Sequence, residues 1–206
     1  MNYLAHFWLA GSRITDRVGG LLGDFVKGPL PCGLPADLAS GVALHRQIDL
    51  FADSHPVFRA SRRRFSANRR RFAGIIVDLF YDHVLARDWE HYHGGTLAQS
   101  TAGYYADVAC YRHILPERLG RILPRMCSDD WLGGYAQLQT VGWALDNLGR
   151  HRLKSGVALV GAIDELEVHY AALSQDAAEF LPAAHQFSQR WLRLRDTHLT
   201  SAETES

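Results

Sequence analysis

Acids and histidines recur at helical spacing inside apolar segments of this 206-residue chain. In LHRQIDLFAD, His45, Asp49 and Asp53 stand four residues apart, which on a helix puts them on one face, each a turn above the last. In IIVDLFYDHVLARDW the same spacing separates Asp78 from Asp82, and His83 follows about 100° further round the helix. His6 sits in YLAHFWLA and Asp24 in GGLLGDFVKG, again among apolar residues. A charged group in an apolar face is costly unless something binds it. Taken one at a time, each is as well explained by a structural ion pair or a satisfied core histidine. Together they offer imidazole nitrogen and carboxylate oxygen, without cysteine, from four separate segments. That donor set suits a divalent metal such as Mn, Mg, Fe or Zn. Such an ion makes a bound water acidic and neutralises charge on a phosphate. Arg46 and Lys27 adjoin the candidate ligands and can receive a phosphate oxygen, arginine as a bidentate fork.

Between these segments lies FRASRRRFSANRRRF, residues 58–72. It carries seven arginines (Arg59, Arg62, Arg63, Arg64, Arg69, Arg70 and Arg71) and no acid. The chain as a whole balances 22 basic against 22 acidic residues, so this is a local positive field. Two readings are open: a solvated helix face, or a docking surface for an acidic partner. Nucleic acid is less well supported, because no recognised nucleic-acid module accompanies the patch. Phe58, Phe65 and Phe72 also recur every seven residues, the spacing of a buried stripe rather than of base-stacking aromatics.

The elements that must position these groups read as helices throughout. They are expected near 2–10, 16–27, 36–51, 55–66, 69–91, 96–113, 117–127, 131–149, 155–178 and 180–197. KGPLPCGLP at 27–35 is a loop, and Thr96 after HGG is a helix cap. No alternating run marks a strand, no repeat is present, and 47% hydrophobic residues suffice for a core. The expectation is an all-α fold, one domain over residues 1–199 followed by a disordered tail at 200–206. Three widely spaced cysteines, Cys32, Cys110 and Cys127, argue against a disulfide framework and for a reducing compartment. The N-terminus lacks a basic region before its apolar stretch and reads as mature structure. No apolar run is long enough to span a bilayer, so a cytoplasmic protein without membrane partners is expected. No P-loop, dinucleotide fingerprint or serine-hydrolase elbow is present.

At MNYLAHFWLA, GGLLGDFVKG, GVALHRQIDLFADSHP and VDLFYDHVLARDW the sequence resembles the acyl carrier protein phosphodiesterases, also called ACP hydrolases. The resemblance is closest in the N-terminal half and continues more loosely to about residue 195. It implies similarity to the HD-type metal-dependent phosphohydrolases, all-helical enzymes with a metal between helices. Here, however, the adjacent pair is reversed, Asp82 before His83. The implied reaction hydrolyses the phosphodiester between 4′-phosphopantetheine and a serine of holo-acyl carrier protein, with a divalent metal, typically Mn. Carried over by motif, Asp24 comes first, then His6, His45, Asp78, Asp82, His83 and Asp49 as metal ligands or catalytic groups. Arg46 and Lys27 would stabilise charge, and the arginines at 59–71 would dock the acidic carrier protein. Two alternatives stand beside this: an HD-like nucleotide phosphohydrolase, and a non-enzymatic helical module that binds carrier protein. The residues leave the oligomeric state open.

Overall fold

The computed structural model describes residues 1–151 and 156–204, and every regular element among them is helical, as expected. In chain order the helices are α1 (Tyr3–Leu9), α2 (Ile14–Leu22), α3 (Ala36–Ser54), α4 (Pro56–Arg63), α5 (Ala73–Arg87), α6 (Trp89–Tyr92), α7 (Leu97–Cys110), α8 (Glu117–Ser128), α9 (Trp131–Gly134), α10 (Leu138–His151), α11 (Ile163–Val168) and α12 (Tyr170–Thr204). Short 3₁₀ turns occur at Arg70–Phe72, Arg112–Ile114 and Gly156–Leu159.

α5 is the axis. A helix apolar on all sides must be wrapped on all sides, and Ile76, Val77 and every residue from Leu79 to Ala86 are buried. α1, α4, α10 and α12 pack around it. α1 is enclosed in the same way, with Leu4 to Leu9 all buried. Its first backbone N–H groups therefore cannot turn to water and need a protein acceptor.

α2 and α3 meet backbone to backbone. A Cβ on Gly19 would lie 2.6 Å from Gly41 Cα and 2.7 Å from the Leu38 carbonyl oxygen. Glycine inside a helix costs about 1 kcal/mol against alanine; here it permits an approach that no side chain would allow. α7 opens on a capping box, Thr96 Oγ1 accepting from Gln99 N–H at 3.3 Å and Gln99 Oε1 from Thr96 N–H at 3.4 Å.

Several expected boundaries shift for identifiable reasons. The helix expected over 69–91 begins at Ala73 and ends at Arg87, with α6 a separate turn after Asp88. The helix expected over 131–149 is divided at 135–137. Asp130, in the left-handed region at φ 39°, caps the single turn of α9 through Gly133 N–H at 3.1 Å. Ser155, where the next helix was expected to start, lies outside the described residues. Within them that helix is interrupted at Gly161, whose φ of 69° favours glycine and whose N–H donates to Asp146 Oδ1 at 2.9 Å. No break falls at 179. α12 runs through Pro182 on a continuous buried stripe of Leu173, Ala177, Phe180, Leu181, Ala184, Ser188 and Leu192. α12 reaches Thr204, and residues 205 and 206 of the expected tail lie outside the described residues. Among the described residues, no helix is long and apolar enough to cross a membrane. All three cysteines are free.

Candidate metal centre

α3 supplies His45 and Asp49, one turn apart as their spacing requires, and α1 brings His6 to them. Nε2 of His45 lies 3.1 Å from Asp49 Oδ2, and Nε2 of His6 lies 3.2 Å from Asp49 Oδ1. The two imidazoles stack with centroids 3.7 Å apart at 19°. One ligand atom from each of the three residues falls within 4.8 Å of the others. Both histidines are buried and Asp49 is partly exposed.

The hydrogen-bond chemistry tests whether this group fits a metal. Nδ1 of His45 lies 2.7 Å from the Gly20 carbonyl oxygen, which only accepts, so Nδ1 carries a proton and donates. Nε2 of a neutral ring then turns its lone pair toward a carboxylate oxygen. Two lone pairs face each other at that distance only if a positive group lies between them, either a second ring proton or a metal ion. Fixing one imidazole nitrogen by a backbone carbonyl and freeing the other is how proteins orient a metal-binding histidine. Nε2 of His6 faces two acceptors, Asp49 and the Met1 carbonyl oxygen at 3.1 Å, while its buried Nδ1 has no partner. Two imidazoles and a carboxylate without sulfur match a hard or borderline divalent ion.

Burial and the neighbouring His45 hold His6 down to about 3, so it stays neutral and able to ligate. Burial would raise Asp49, but hydrogen bonds from His45 and His6, together with the Met1 ammonium, hold its carboxyl far below the usual range. That ammonium sits 2.9 Å from Asp49 Oδ1 and 3.1 Å from Asp78 Oδ1, bringing Asp78 of α5 into the cluster. Burial raises Asp78 despite this cation. Asp24 is raised by burial too, against the pull of His45 and the Met1 ammonium.

Gly23, Asp24, Val26, Lys27, Gly28, His45, Arg46 and Asp49 line a cleft of about 290 Å³. Asp24, Lys27 and Arg46 therefore share one space with two of the three clustered groups. Arg46 Nη2 donates to the Val26 carbonyl at 3.3 Å, and Lys27 is exposed. A larger hollow of about 510 Å³ beside Ala86 to Tyr92 shares no residue with this cleft.

Asp82 and His83 are not brought into the cluster. Asp82, fully buried, accepts Leu4 N–H at 2.8 Å, Ala5 N–H at 3.1 Å and Asn2 Nδ2 at 3.1 Å. It is the acceptor that the start of α1 needs. Burial pushes its pKa up to about 7, against the pull of the Leu4 and Ala5 N–H groups. His83 has both nitrogens occupied, Nδ1 on the Tyr135 carbonyl and Nε2 on the Tyr170 hydroxyl, each at 2.9 Å. Asp53 pairs with Arg62 at 2.9 Å on the surface.

The seven arginines divide by role. Arg64 grips Asp176 with two bonds of 2.9 and 3.0 Å. Arg69 holds Glu165 at 2.9 Å and the carbonyls of Ala158, Val160 and Gly161. Arg59 and Arg62 both engage Asp53. Arg63, Arg70 and Arg71 are exposed; Arg70 reaches the Phe65 carbonyl at 3.4 Å, and Arg71 lies over the Phe72 ring. Phe58 and Phe65 are buried, as their spacing implies, and Phe72 is half-buried against the core. Sequence reasoning missed Gly20, Gly23 and the Met1 ammonium as parts of the site. The signal for the glycines was GGLLG itself, three poor helix formers kept in a helical segment.

A family model described as acyl carrier protein phosphodiesterase matches residues 1–184. The acyl carrier protein phosphodiesterase of Yersinia pestis is 30% identical over 190 residues, covering 92% of this chain and 98% of its own. That of Salmonella agona (strain SL483) is 32% identical over 183 residues, 88% of this chain and 94% of its own. No solved structure matches the chain.

Proposed function

The chain belongs to the acyl carrier protein phosphodiesterase family, and from that membership we propose that it hydrolyses the phosphodiester joining 4′-phosphopantetheine to the serine of holo-acyl carrier protein. The products are apo-acyl carrier protein and 4′-phosphopantetheine. The observation that best supports this reading is the facing pair of His45 Nε2 and Asp49 Oδ2, on the wall of a cleft that also holds Asp24, Lys27 and Arg46.

His45, Asp49 and His6 are the residues that would hold a divalent metal, Mn by the family reading, with Asp78 adjacent. Bound there, the ion would supply an acidified water and neutralise charge on the phosphoryl oxygens. The chain's own residues do the rest. Gly20 keeps the His45 proton on Nδ1. Arg46 and Lys27 bind the non-bridging phosphate oxygens, the guanidinium as a fork. Water oxygen bonds to phosphorus and gives up a proton to solvent while the bond from phosphorus to the serine oxygen breaks. Asp24, on the cleft wall with its proton affinity raised by burial, delivers a proton to that leaving oxygen. His6 sits inside the ligand cluster and His83 on Tyr135 and Tyr170, so neither serves as the acid in this scheme.

The exposed Arg63, Arg70 and Arg71 are the arginines free to steer an acidic carrier protein. The reducing cytoplasm is the compartment we assign, in keeping with three free cysteines. Intact mass spectrometry tests the reaction. Mixed with holo-acyl carrier protein and Mn, the protein should remove the phosphopantetheine mass, and a chelator should stop it. An unchanged carrier mass would overturn the activity; removal that survives chelation would overturn the metal.

A further inference from the structure

Gly19 and Gly20 in α2 and Gly23 just after it line the approach to α1 and α3, and each does something different. Gly19 sets the approach of the two helices through Gly41. Gly20 lends its carbonyl to His45 Nδ1. Gly23 follows the last residue of α2 at φ −53°, ψ −33°, an ordinary right-handed conformation that any residue adopts. Its backbone gives no reason for glycine. The reason is space: a Cβ there would lie 2.2 Å from His45 Cγ, 2.3 Å from Cδ2 and 2.6 Å from Nδ1. Those are ring atoms next to the Cβ, not the far end of a flexible chain, so a methyl could be accommodated only by turning the imidazole out of its place.

We propose that Gly23 is a positioning residue, the missing side chain that lets the His45 imidazole lie flat against the end of α2, donating to Gly20 with Nδ1 and presenting Nε2 to Asp49. It acts wholly through His45. The His45 ring is bounded by Gly23, where an added Cβ would strike it, and by the stacked ring of His6. A ring so confined needs no reorganisation when its Nε2 takes a ligand. The functional side of this inference rests on the metal-dependent reading above; the conformational side does not.

The test is a set of three variants, Gly23→Ala, His45→Ala and the double, with Gly120→Ala as a control at a helical glycine that has nothing within 4 Å of an added Cβ. Two readouts are needed. Long-range ¹⁵N–¹H spectra of the metal-free protein should show His45 protonated on Nδ1 in the parent, and Gly23→Ala should remove that signature while far-UV circular dichroism stays helical. Titration with Mn should show a loss of roughly 10–100-fold in affinity for Gly23→Ala, the range for groups that orient a metal ligand. It should show no further loss when Gly23→Ala is added to His45→Ala, because a residue acting only through another shows no independent effect. The double variant removes the atoms a methyl would strike, so it should fold even if Gly23→Ala alone does not, and a fold recovered in this way is itself the expected coupling. An unchanged His45 signature in Gly23→Ala, or losses that add in the double variant, would overturn the proposal. A parent that binds no Mn yet loses the Nδ1–H signature in Gly23→Ala would overturn the metal reading and leave the positioning role standing.

Discussion

Replacing Asp82 with alanine separates two roles that its sequence position allows. If Asp82 is the acceptor at the head of α1, its removal is a stability event. The carboxylate takes two backbone N–H groups, Leu4 at 2.8 Å and Ala5 at 3.1 Å, in a setting closed to water. Each buried N–H left without an acceptor costs about 1–3 kcal/mol, and these two bonds are the whole of the cap that Asp82 gives α1. Allowing for some relaxation of the Asn2 side chain, the sum is about 3–5 kcal/mol. In a chain of this size that is a fall in Tm of roughly 6–20 °C. Asp82→Asn keeps one acceptor oxygen and should lose about half as much. Urea unfolding followed by circular dichroism reads the stability, and Mn titration of the folded variant at low temperature reads the site. The expected result is a lower urea midpoint with Mn affinity close to that of the parent. A variant that loses Mn binding while its stability stays within about 1 kcal/mol of the parent would refute the capping role and return Asp82 to the ligand set.

Two further outcomes follow from the same geometry. His83 is held neutral, its pKa lowered by burial and by Arg87 against the raising pull of the Tyr135 carbonyl and Asp88. The unfolded chain therefore binds a proton that the folded one refuses, so stability is present above the ordinary imidazole pKa of about 6.5 and declines as pH falls below it. His83→Gln should flatten that decline in a series of urea midpoints against pH without shifting the pH profile of turnover; a shifted turnover profile would give His83 a role in the chemistry. Among the arginines, Arg64→Ala and Arg69→Ala should each cost about 1–3 kcal/mol of stability by stranding partly buried acceptors. Reversing Arg63, Arg70 and Arg71 to glutamate should leave stability nearly unchanged and lower kcat/KM for carrier protein at low salt, with the difference shrinking as salt is added. Equal kcat/KM at low salt would remove these residues from docking.

The sequence alone determined what is periodic or local. Residues four apart on one helix must share a face, so His45 and Asp49 were bound to meet, as they do at 3.1 Å. Apolar residues on every side of the segment from Ile75 to Leu85, interrupted only by Asp78, Asp82 and His83, required a wrapped helix, and Thr96 with Gln99 wrote its own capping box. Tertiary structure decided what depends on distance between elements. It carried His6 of α1 onto the His45 ring and brought the Met1 ammonium between Asp49 and Asp78. It also sent Asp82 and His83 to different partners, because neighbours on a helix diverge by about 100° and each finds whatever the packing offers there. The seven arginines carry equal charge in the sequence, yet Asp176 and Glu165, more than ninety residues away along the chain, turned Arg64 and Arg69 into internal struts. The placement of Gly23 against His45 has the same origin. A glycine's use lies in the atoms that approach it, and those come from another helix, brought close by the contact between Gly19 and Gly41.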